Sequence, residues 1–147
     1  MYIGTYMPKI LTGEYLHAYA GYAPLVLRVA TGFVFAMHGY QKFSGGLAGV
    51  TGFLASLGFP LPEVFAVILI AVELLGGIAL IVGLGTRVAA KLTTIVALVA
   101  LLTVHISKGF FISDGGYEFI MLLLAASVSL MLTGGGKWAL DDFFRKQ

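Results

Sequence analysis

Four long apolar segments constrain the fold of this chain more than any other feature of its sequence. Their approximate ranges are 23–39, 62–83, 88–105 and 117–133. A helix rises 1.5 Å per residue, so each segment can cross a hydrocarbon layer of about 30 Å, the shorter ones with little to spare. Apolar residues make up 59% of the chain and charged residues only 11%, whereas about 25% of a soluble domain is charged. The sequence therefore predicts an all-α polytopic membrane protein, a bundle of four transmembrane helices.

Three further segments, at about 1–21, 46–58 and 137–145, have the pattern of short helices that lie in the membrane interface. The first is rich in tyrosine, and the third carries a tryptophan and two phenylalanines, residues that favour the headgroup level. The middle segment is amphipathic, with apolar residues at helical spacing, as expected of a helix in the interface. We treat residues 1–147 as a single membrane domain.

The distribution of cations between the connecting segments predicts the orientation of the chain. Four spans place both termini on the same side, and six cations fall there: Lys9, Arg87, Lys91, Lys137, Arg145 and Lys146. Only Lys42 and Lys108 fall on the opposite side. Because cytoplasmic segments carry the excess of Lys and Arg, we expect a plasma (inner) membrane protein with both termini in the cytoplasm.

The ends of the spans also indicate a faint internal repeat. Spans one and three both end in a histidine followed by a lysine, and spans two and four both end in a Gly-x-Gly sequence before a basic residue. Two duplicated helical hairpins would give this pattern. Glycine and lysine are common at loop ends, so the pattern is compatible with chance as well.

Charge and cysteine content exclude several classes of function. The net charge of +2 is too small for a nucleic-acid partner, whose phosphates require clustered cations. The chain has no cysteine, which excludes disulfides, thiolate nucleophiles and Cys-ligated iron–sulfur clusters. Any redox chemistry must therefore use a bound cofactor or the groups of a partner.

Two ionisable residues inside the spans, Arg28 and Glu73, are predicted to form an ion pair within the bundle. A charge at the centre of a membrane helix costs about 2.5–3.5 kcal/mol on insertion scales, so such groups usually face the bundle and pair. From the expected depths, an arginine side chain can reach the carboxylate. The pair would either fix the packing of the helices or orient the head of a polar ligand in a central pocket.

A second set of polar residues is expected at the outer ends of the spans. His38, His105 and Glu118 are candidates for handling protons, because imidazole titrates near neutral pH and a carboxylate can accept its proton. Lys42 and Lys108 lie about one turn further out and are candidates for binding a substrate or quinone. Histidine and lysine are also ordinary residues at a membrane interface. The spacing predicts no metal site, and haem ligation by the two histidines is disfavoured because both lie at the edge of the apolar region.

The ordered set of these motifs resembles the DoxX family. The set comprises Leu27-Arg28, His38-Gly39-x-x-Lys42, Glu73-x-x-Gly76-Gly77, Gly83-x-Gly85-Thr86-Arg87, His105 and Gly115-Gly116-Tyr117-Glu118, and the stretch from Gly134 to Asp141. The resemblance covers about residues 22–142 and implies a four-helix membrane protein. It also implies quinone-linked redox chemistry, of the type of thiosulfate or thiol oxidation or quinone detoxification. Thiosulfate oxidation in the family's characterised enzyme uses a second subunit, and no part of this chain resembles one.

Two classes of function follow from these observations, and the sequence leaves open whether the chain is itself catalytic. The first is a membrane redox subunit that binds a quinone and acts with a soluble or membrane oxidoreductase. The second is a non-enzymatic scaffold or chaperone that docks such an oxidoreductase or another membrane protein; the absence of cysteine favours it. A transporter is the weaker third reading. Membrane lipids are expected partners under every reading, and a homo-oligomer is compatible with all three.

Overall fold

The chain, whose structure is a computed structural model describing residues 13–144, folds into helices and short connections. A 3₁₀ helix, Glu14–Tyr22, leads directly into the first long helix. The elements that follow are α1 (Ala23–Gly45), α2 (Leu47–Ser56), α3 (Pro62–Val82), α4 (Thr86–Lys108), α5 (Glu118–Thr133) and α6 (Leu140–Phe144). Helix α3 contains a π-helical turn at Val72–Gly76, and α4 contains another at Leu101–His105.

The helices follow the apolar segments of the sequence closely, with one exception. Helix α1 continues to Gly45, six residues beyond the predicted end of the first span. Polar residues end the apolar pattern there without ending the helix, and the Ser44 hydroxyl donates a hydrogen bond to the Tyr40 carbonyl within the last turn. Because the helix continues to Gly45, Lys42 lies within α1 rather than in the loop after it.

The long helices form two antiparallel hairpins, α1 with α3 and α4 with α5, packed against each other. Three apolar clusters follow one another along the bundle. The first is formed by Leu80, Ala89, Ala90 and Leu130, the second by Phe35, Ala97 and Leu123, and the third by Val50, Leu54 and Ala66. The third cluster joins α2 to α3, so the predicted amphipathic segment is a helix whose apolar side packs on the bundle. The duplication of the hairpins stays a prediction.

Helices α1 and α3 approach each other unusually closely, because glycines face glycines. A Cβ atom at Gly32 would lie 2.6 Å from the Gly77 carbonyl oxygen, and one at Gly39 would overlap the backbone of Leu74. Small residues permit such an approach, and dispersion contacts then stabilise it in a membrane, where the hydrophobic effect between helices is lost. This close hairpin sets the depth of every polar residue on α1 against α3.

The apolar surface of the bundle is that of a membrane protein. Within residues 13–144, three helical stretches are long and apolar enough to cross a membrane: Tyr15–Gly45, Pro62–Val82 and Thr86–Lys108. Helix α5 is also apolar but has 16 residues. Large hydrophobic side chains are exposed along all the long helices, as they must be when lipid takes the place of water. The chain is an all-α polytopic membrane bundle.

Candidate functional site

Arg28 is buried at one end of the bundle, where its guanidinium binds backbone carbonyls. Nε donates to the Gly135 carbonyl oxygen at 3.1 Å, and Nη2 donates to that of Trp138 at 2.8 Å. Nη1 donates to the carbonyls of Leu80, at 3.1 Å, and Ile81. The last two belong to the final turn of α3, whose carbonyls carry the negative end of the helix dipole, and the Leu80 carbonyl also accepts a hydrogen bond from the Gly83 N–H. Arg28 thus caps α3 and ties the segment after α5 to it.

The predicted ion pair between Arg28 and Glu73 is wrong. The Arg28 guanidinium lies at the level of Ile81, which is eight residues from Glu73 and so about 12 Å away along α3. The expected depths were measured from the ends of the apolar segments. In the structure α1 is displaced along α3 relative to those ends, with Gly32 opposite Gly77 and Ile81. Arg28 therefore has a structural role at this end of the bundle, and ligand binding by Arg28 stays a prediction.

Asp141 is the counterpart of Arg28 at the same end of the bundle. Its Oδ1 accepts a hydrogen bond from the Gly85 N–H at 2.6 Å, and its Oδ2 accepts one from the Thr86 N–H at 2.9 Å. These are unpaired donors at the start of α4, where a carboxylate is favoured by the helix dipole. Burial raises the pKa of Asp141, but these hydrogen bonds and the positive charge of Arg28 outweigh it, so the pKa lies below its usual value.

Glu73, the buried carboxylate on α3, pairs with Lys42 on α1. Lys42 Nζ lies 2.6 Å from Glu73 Oε2, and 26% of the lysine side chain is exposed against 9% of the glutamate's. The carboxylate lies in the π-helical turn Val72–Gly76, and such turns inside α-helices are frequent at functional sites. The structure thus holds an ion pair along two spans, with the carboxylate buried and the ammonium partly open.

His38 lies one turn before Lys42 on α1 and is exposed. Residues four apart on a helix are neighbours on one face, with Cβ atoms about 5–6 Å apart. Within the described part of the chain, His38 makes no hydrogen bond. We therefore take His38, Lys42 and Glu73 as the candidate site, and we name it the Lys42–Glu73 site.

His105 and Glu118 lie on either side of the loop between α4 and α5 and hold it in place. His105 Nδ1 is 2.7 Å from the Gly115 carbonyl oxygen, and Glu118 Oε1 accepts a hydrogen bond from the Ile112 N–H at 2.7 Å. Lys108 packs its side chain against Gly115. The structure brings these three residues to one loop, without His38.

The described residues provide no metal centre at this loop or elsewhere. Within residues 13–144, no group of three or more His, Asp or Glu side chains is placed to hold a metal ion. The contacts divide the outer polar residues into two groups. One is the Lys42–Glu73 site between α1 and α3, and the other is His105, Lys108 and Glu118 at the loop between α4 and α5.

The sequence predicted no contact for Asp141 or Arg87, although the structure gives both one. Arg87 lies at the start of α4, and its guanidinium faces the Met131 and Thr133 carbonyls at the end of α5, each at 3.4 Å. The available sequence signal for these contacts was weak. Asp141 lies in a tail rich in Trp and Phe, and Arg87 follows the turn Gly83-Leu84-Gly85-Thr86. In both cases a charged side chain lies opposite a helix terminus of complementary polarity.

Comparison with known proteins agrees with this fold. The profile of the DoxX family matches residues 23–106. A Bacillus subtilis protein named "Putative oxidoreductase CatD" is 40% identical over 122 residues, which are 83% of this chain and 87% of the relative. An uncharacterized protein of Haemophilus influenzae is 33% identical over 135 residues, 89% of this chain and 98% of the relative. No solved structure matches the chain.

The matched region runs from the start of α1 into the π-helical turn of α4. It therefore contains Arg28, His38, Lys42, Glu73 and His105, which are the candidate site residues of the first three spans apart from Lys108. The match covers more than half of the chain, and a close relative is similar along most of its length. The chain belongs to the DoxX family.

Proposed function

We propose that this protein is a membrane subunit of a quinone-linked oxidoreductase and that the Lys42–Glu73 site binds the quinone head. The observation that carries the proposal is the ion pair itself. A buried carboxylate at mid-helix is costly in a membrane and usually marks a functional position. Here it is paired with an ammonium group that is partly open to its surroundings.

The donors present fit a quinone. A lysine ammonium has three N–H donors, and one is used by Glu73 at 2.6 Å. The others are free to bind a quinone carbonyl, and the exposed His38 lies beside them on the same helix face. A quinone diffuses within the bilayer, so a site between two spans suits it better than a water-filled cleft.

Quinone reduction consumes two electrons and two protons. In the proposed site Lys42 orients the quinone carbonyl, Glu73 holds the lysine side chain in position through the ion pair, and His38 exchanges protons with the membrane surface. In this proposal the electrons come from a partner oxidoreductase, since the chain has no cysteine thiol to donate them. The relative named "Putative oxidoreductase CatD" supports an oxidoreductase function. We propose thiosulfate or a thiol as the electron donor.

The direct test is the small-molecule content of the purified protein. We expect an organic extract of the detergent-solubilised protein to contain quinone near one equivalent, and Lys42→Gln and Glu73→Gln to lose most of it. Lys91→Gln, which removes a charge from an exposed position on α4, is the matched control and should keep it. An extract that holds only phospholipid would contradict the proposal.

The second candidate function is a non-enzymatic scaffold, and a specific observation favours it. Arg28, His105 and Glu118 all bind backbone groups, so three of the seven predicted site residues stabilise the fold. A scaffold would carry no quinone, and Lys42→Gln would leave its partner binding unchanged while the extract stayed free of quinone.

We propose further that α5 is a fourth span and that the protein lies in the plasma membrane with both termini in the cytoplasm. Gly21 accepts a hydrogen bond from the Lys137 N–H, so the two ends of the described chain lie at one end of the bundle. The excess of Lys and Arg on that side supports the cytoplasmic assignment.

Cysteine labelling tests this topology without background, because the chain has no cysteine. With four spans, an impermeant maleimide added to intact cells should label Ser113→Cys, in the loop before α5, and spare Leu84→Cys, between α3 and α4. Both positions should react after permeabilisation. Labelling of both in intact cells would contradict the topology.

A further inference from the structure

A cavity of about 520 Å³ opens at the Arg28 end of the bundle, away from the Lys42–Glu73 site. The turn Gly134–Gly136 forms one wall, and the start of α4 at Thr86 forms another. Four charged side chains border it: Arg87, Lys137, Asp141 and Asp142. Its volume lies within the range of sites that hold small molecules, about 300–1,000 Å³.

The charges around this cavity favour an anion. Asp141 directs both carboxylate oxygens to the start of α4 and interacts with Arg28. Asp142 has an interaction of its own. The side chains that line the cavity balance, two cations against two carboxylates. Arg28, which binds the carbonyl of the lining residue Gly135, adds one positive charge to this end of the bundle.

The two cations at the cavity retain donors for a ligand. The Arg87 guanidinium has five N–H donors and spends two on carbonyls, at 3.4 Å each, which is long for a hydrogen bond. The Lys137 ammonium lies 4.7 Å from the centre of the Tyr22 ring. Neither contact saturates its cation, and a phosphate accepts hydrogen bonds from both groups at once.

The surroundings of the cavity are those of the headgroup level of a membrane. Trp138 follows Lys137, packs edge-on against Tyr22 at 5.5 Å and is 76% exposed. Phe143 and Phe144 on α6 are also largely exposed. Tryptophan and tyrosine concentrate at the membrane interface, and phenylalanine lines the apolar face of helices that lie in it. The cavity therefore opens where lipid phosphates lie.

We propose that this cavity binds the phosphate of a phospholipid headgroup, with Arg87 and Lys137 as its ligands. Basic pockets among membrane helices on the cytoplasmic side are a known means of holding anionic headgroups. The bound lipid would join the segment after α5 to the start of α4. This site is independent of the quinone proposal, since it lies at the other end of the bundle.

Native mass spectrometry of the detergent-solubilised protein with added phosphatidylglycerol tests the proposal. We expect Lys137→Gln to weaken one-to-one lipid binding about tenfold, the effect of losing one charge-assisted hydrogen bond. The substitution keeps the backbone N–H that bonds Gly21. Lys91→Gln removes an equal charge from α4 outside the cavity and is the matched control.

A selective loss in Lys137→Gln supports the site. An equal loss in Lys91→Gln would show general surface attraction and overturn it, as would unchanged binding in both variants. Arg87→Lys, which keeps the charge but not the planar fork, should also weaken binding, and it guards against a misfolded first variant.

Inorganic phosphate separates a lipid from a soluble anion. We expect lipid binding to persist in 10 mM inorganic phosphate (on the order of the concentration that displaces a weak anion), because the acyl chains add to the affinity. Displacement of the lipid by phosphate at this concentration would instead identify a soluble oxyanion as the ligand and overturn the lipid assignment.

Discussion

At the residue scale, the structure separates polar residues that hold the fold from those available for chemistry. Arg28 is 2% exposed and donates only to backbone carbonyls. Glu73 is also buried, yet its partner Lys42 is partly open. The sequence identified Arg28 and Glu73 as unusual for a membrane span and placed Lys42 at the outer interface, but it did not show which residue would pair with which.

The pairing escaped the sequence for a physical reason. A hydropathy profile shows where a membrane span begins and ends. It does not show how each helix is rotated or how far one helix is displaced along its neighbour. Lys42 follows the last apolar residues of α1 and has the pattern of an interfacial lysine that extends toward water. Because α1 continues to Gly45, the lysine faces α3 instead.

Loss of the Arg28 guanidinium should destabilise the protein strongly. We expect Arg28→Gln to lower the free energy of unfolding by about 3 kcal/mol or more, because it leaves buried carbonyls without donors. Arg28→Lys should lie between, since an ammonium cannot reproduce the planar fork. The thermal midpoint in detergent measures this, with Lys91→Gln as the control; a midpoint equal to that of the wild type would contradict the structural role.

The new pairing also predicts how substitutions combine. Lys42 and Glu73 are in contact, so the effects of Lys42→Gln and Glu73→Gln on the thermal midpoint should not add. Arg28 and Glu73 share no partner, so the changes that Arg28→Gln and Glu73→Gln make to the free energy of unfolding should add within about 0.5 kcal/mol. Strongly non-additive effects of Arg28→Gln and Glu73→Gln would indicate that these two residues interact and would contradict the pairing of Glu73 with Lys42.

At the element scale, helix termini meet side chains of complementary charge. Arg28 lies at the end of α3, Arg87 at the end of α5, and Asp141 at the start of α4. The apolar segments of the sequence predicted where these helices begin and end to within a few residues. They carried no information about Asp141, which is 55 residues from Thr86 along the chain.

The Asp141 contact predicts a pH-dependent stability. Because the folded pKa lies below the ordinary value, the ionised carboxylate stabilises the fold at neutral pH, and this contribution is lost as the pH falls through the folded pKa. Asp141→Asn should thus lower the thermal midpoint at pH 7, and the difference from wild type should shrink below about pH 4. A constant difference at all pH values would contradict this assignment.

The close hairpin of α1 and α3 gives a prediction that depends on packing alone. Gly32→Ala would place a methyl group 2.6 Å from the Gly77 carbonyl oxygen, and we expect a loss of about 1–3 kcal/mol from overpacking. Gly49→Ala on α2 meets open space and should be neutral or slightly stabilising. Equal thermal midpoints for the two variants would show that the hairpin is looser than described.

At the scale of the whole molecule, the bundle has two polar ends with different roles. At the Arg28 end, hydrogen bonds join α3, α4 and the segment after α5. Toward the opposite end, the Lys42–Glu73 ion pair lies between α1 and α3. Composition and apolar periodicity predicted the membrane bundle, whereas this division depends on tertiary contacts that no local pattern encodes.

The central claim is that the Lys42–Glu73 site binds a quinone, and the thermal shift caused by a short-chain benzoquinone tests it most directly. A ligand that binds the folded state raises the thermal midpoint by mass action. We predict a concentration-dependent rise for the wild type and for Lys91→Gln, and none for Glu73→Gln. An equal rise in all three proteins, or no rise in any of them, would contradict the claim.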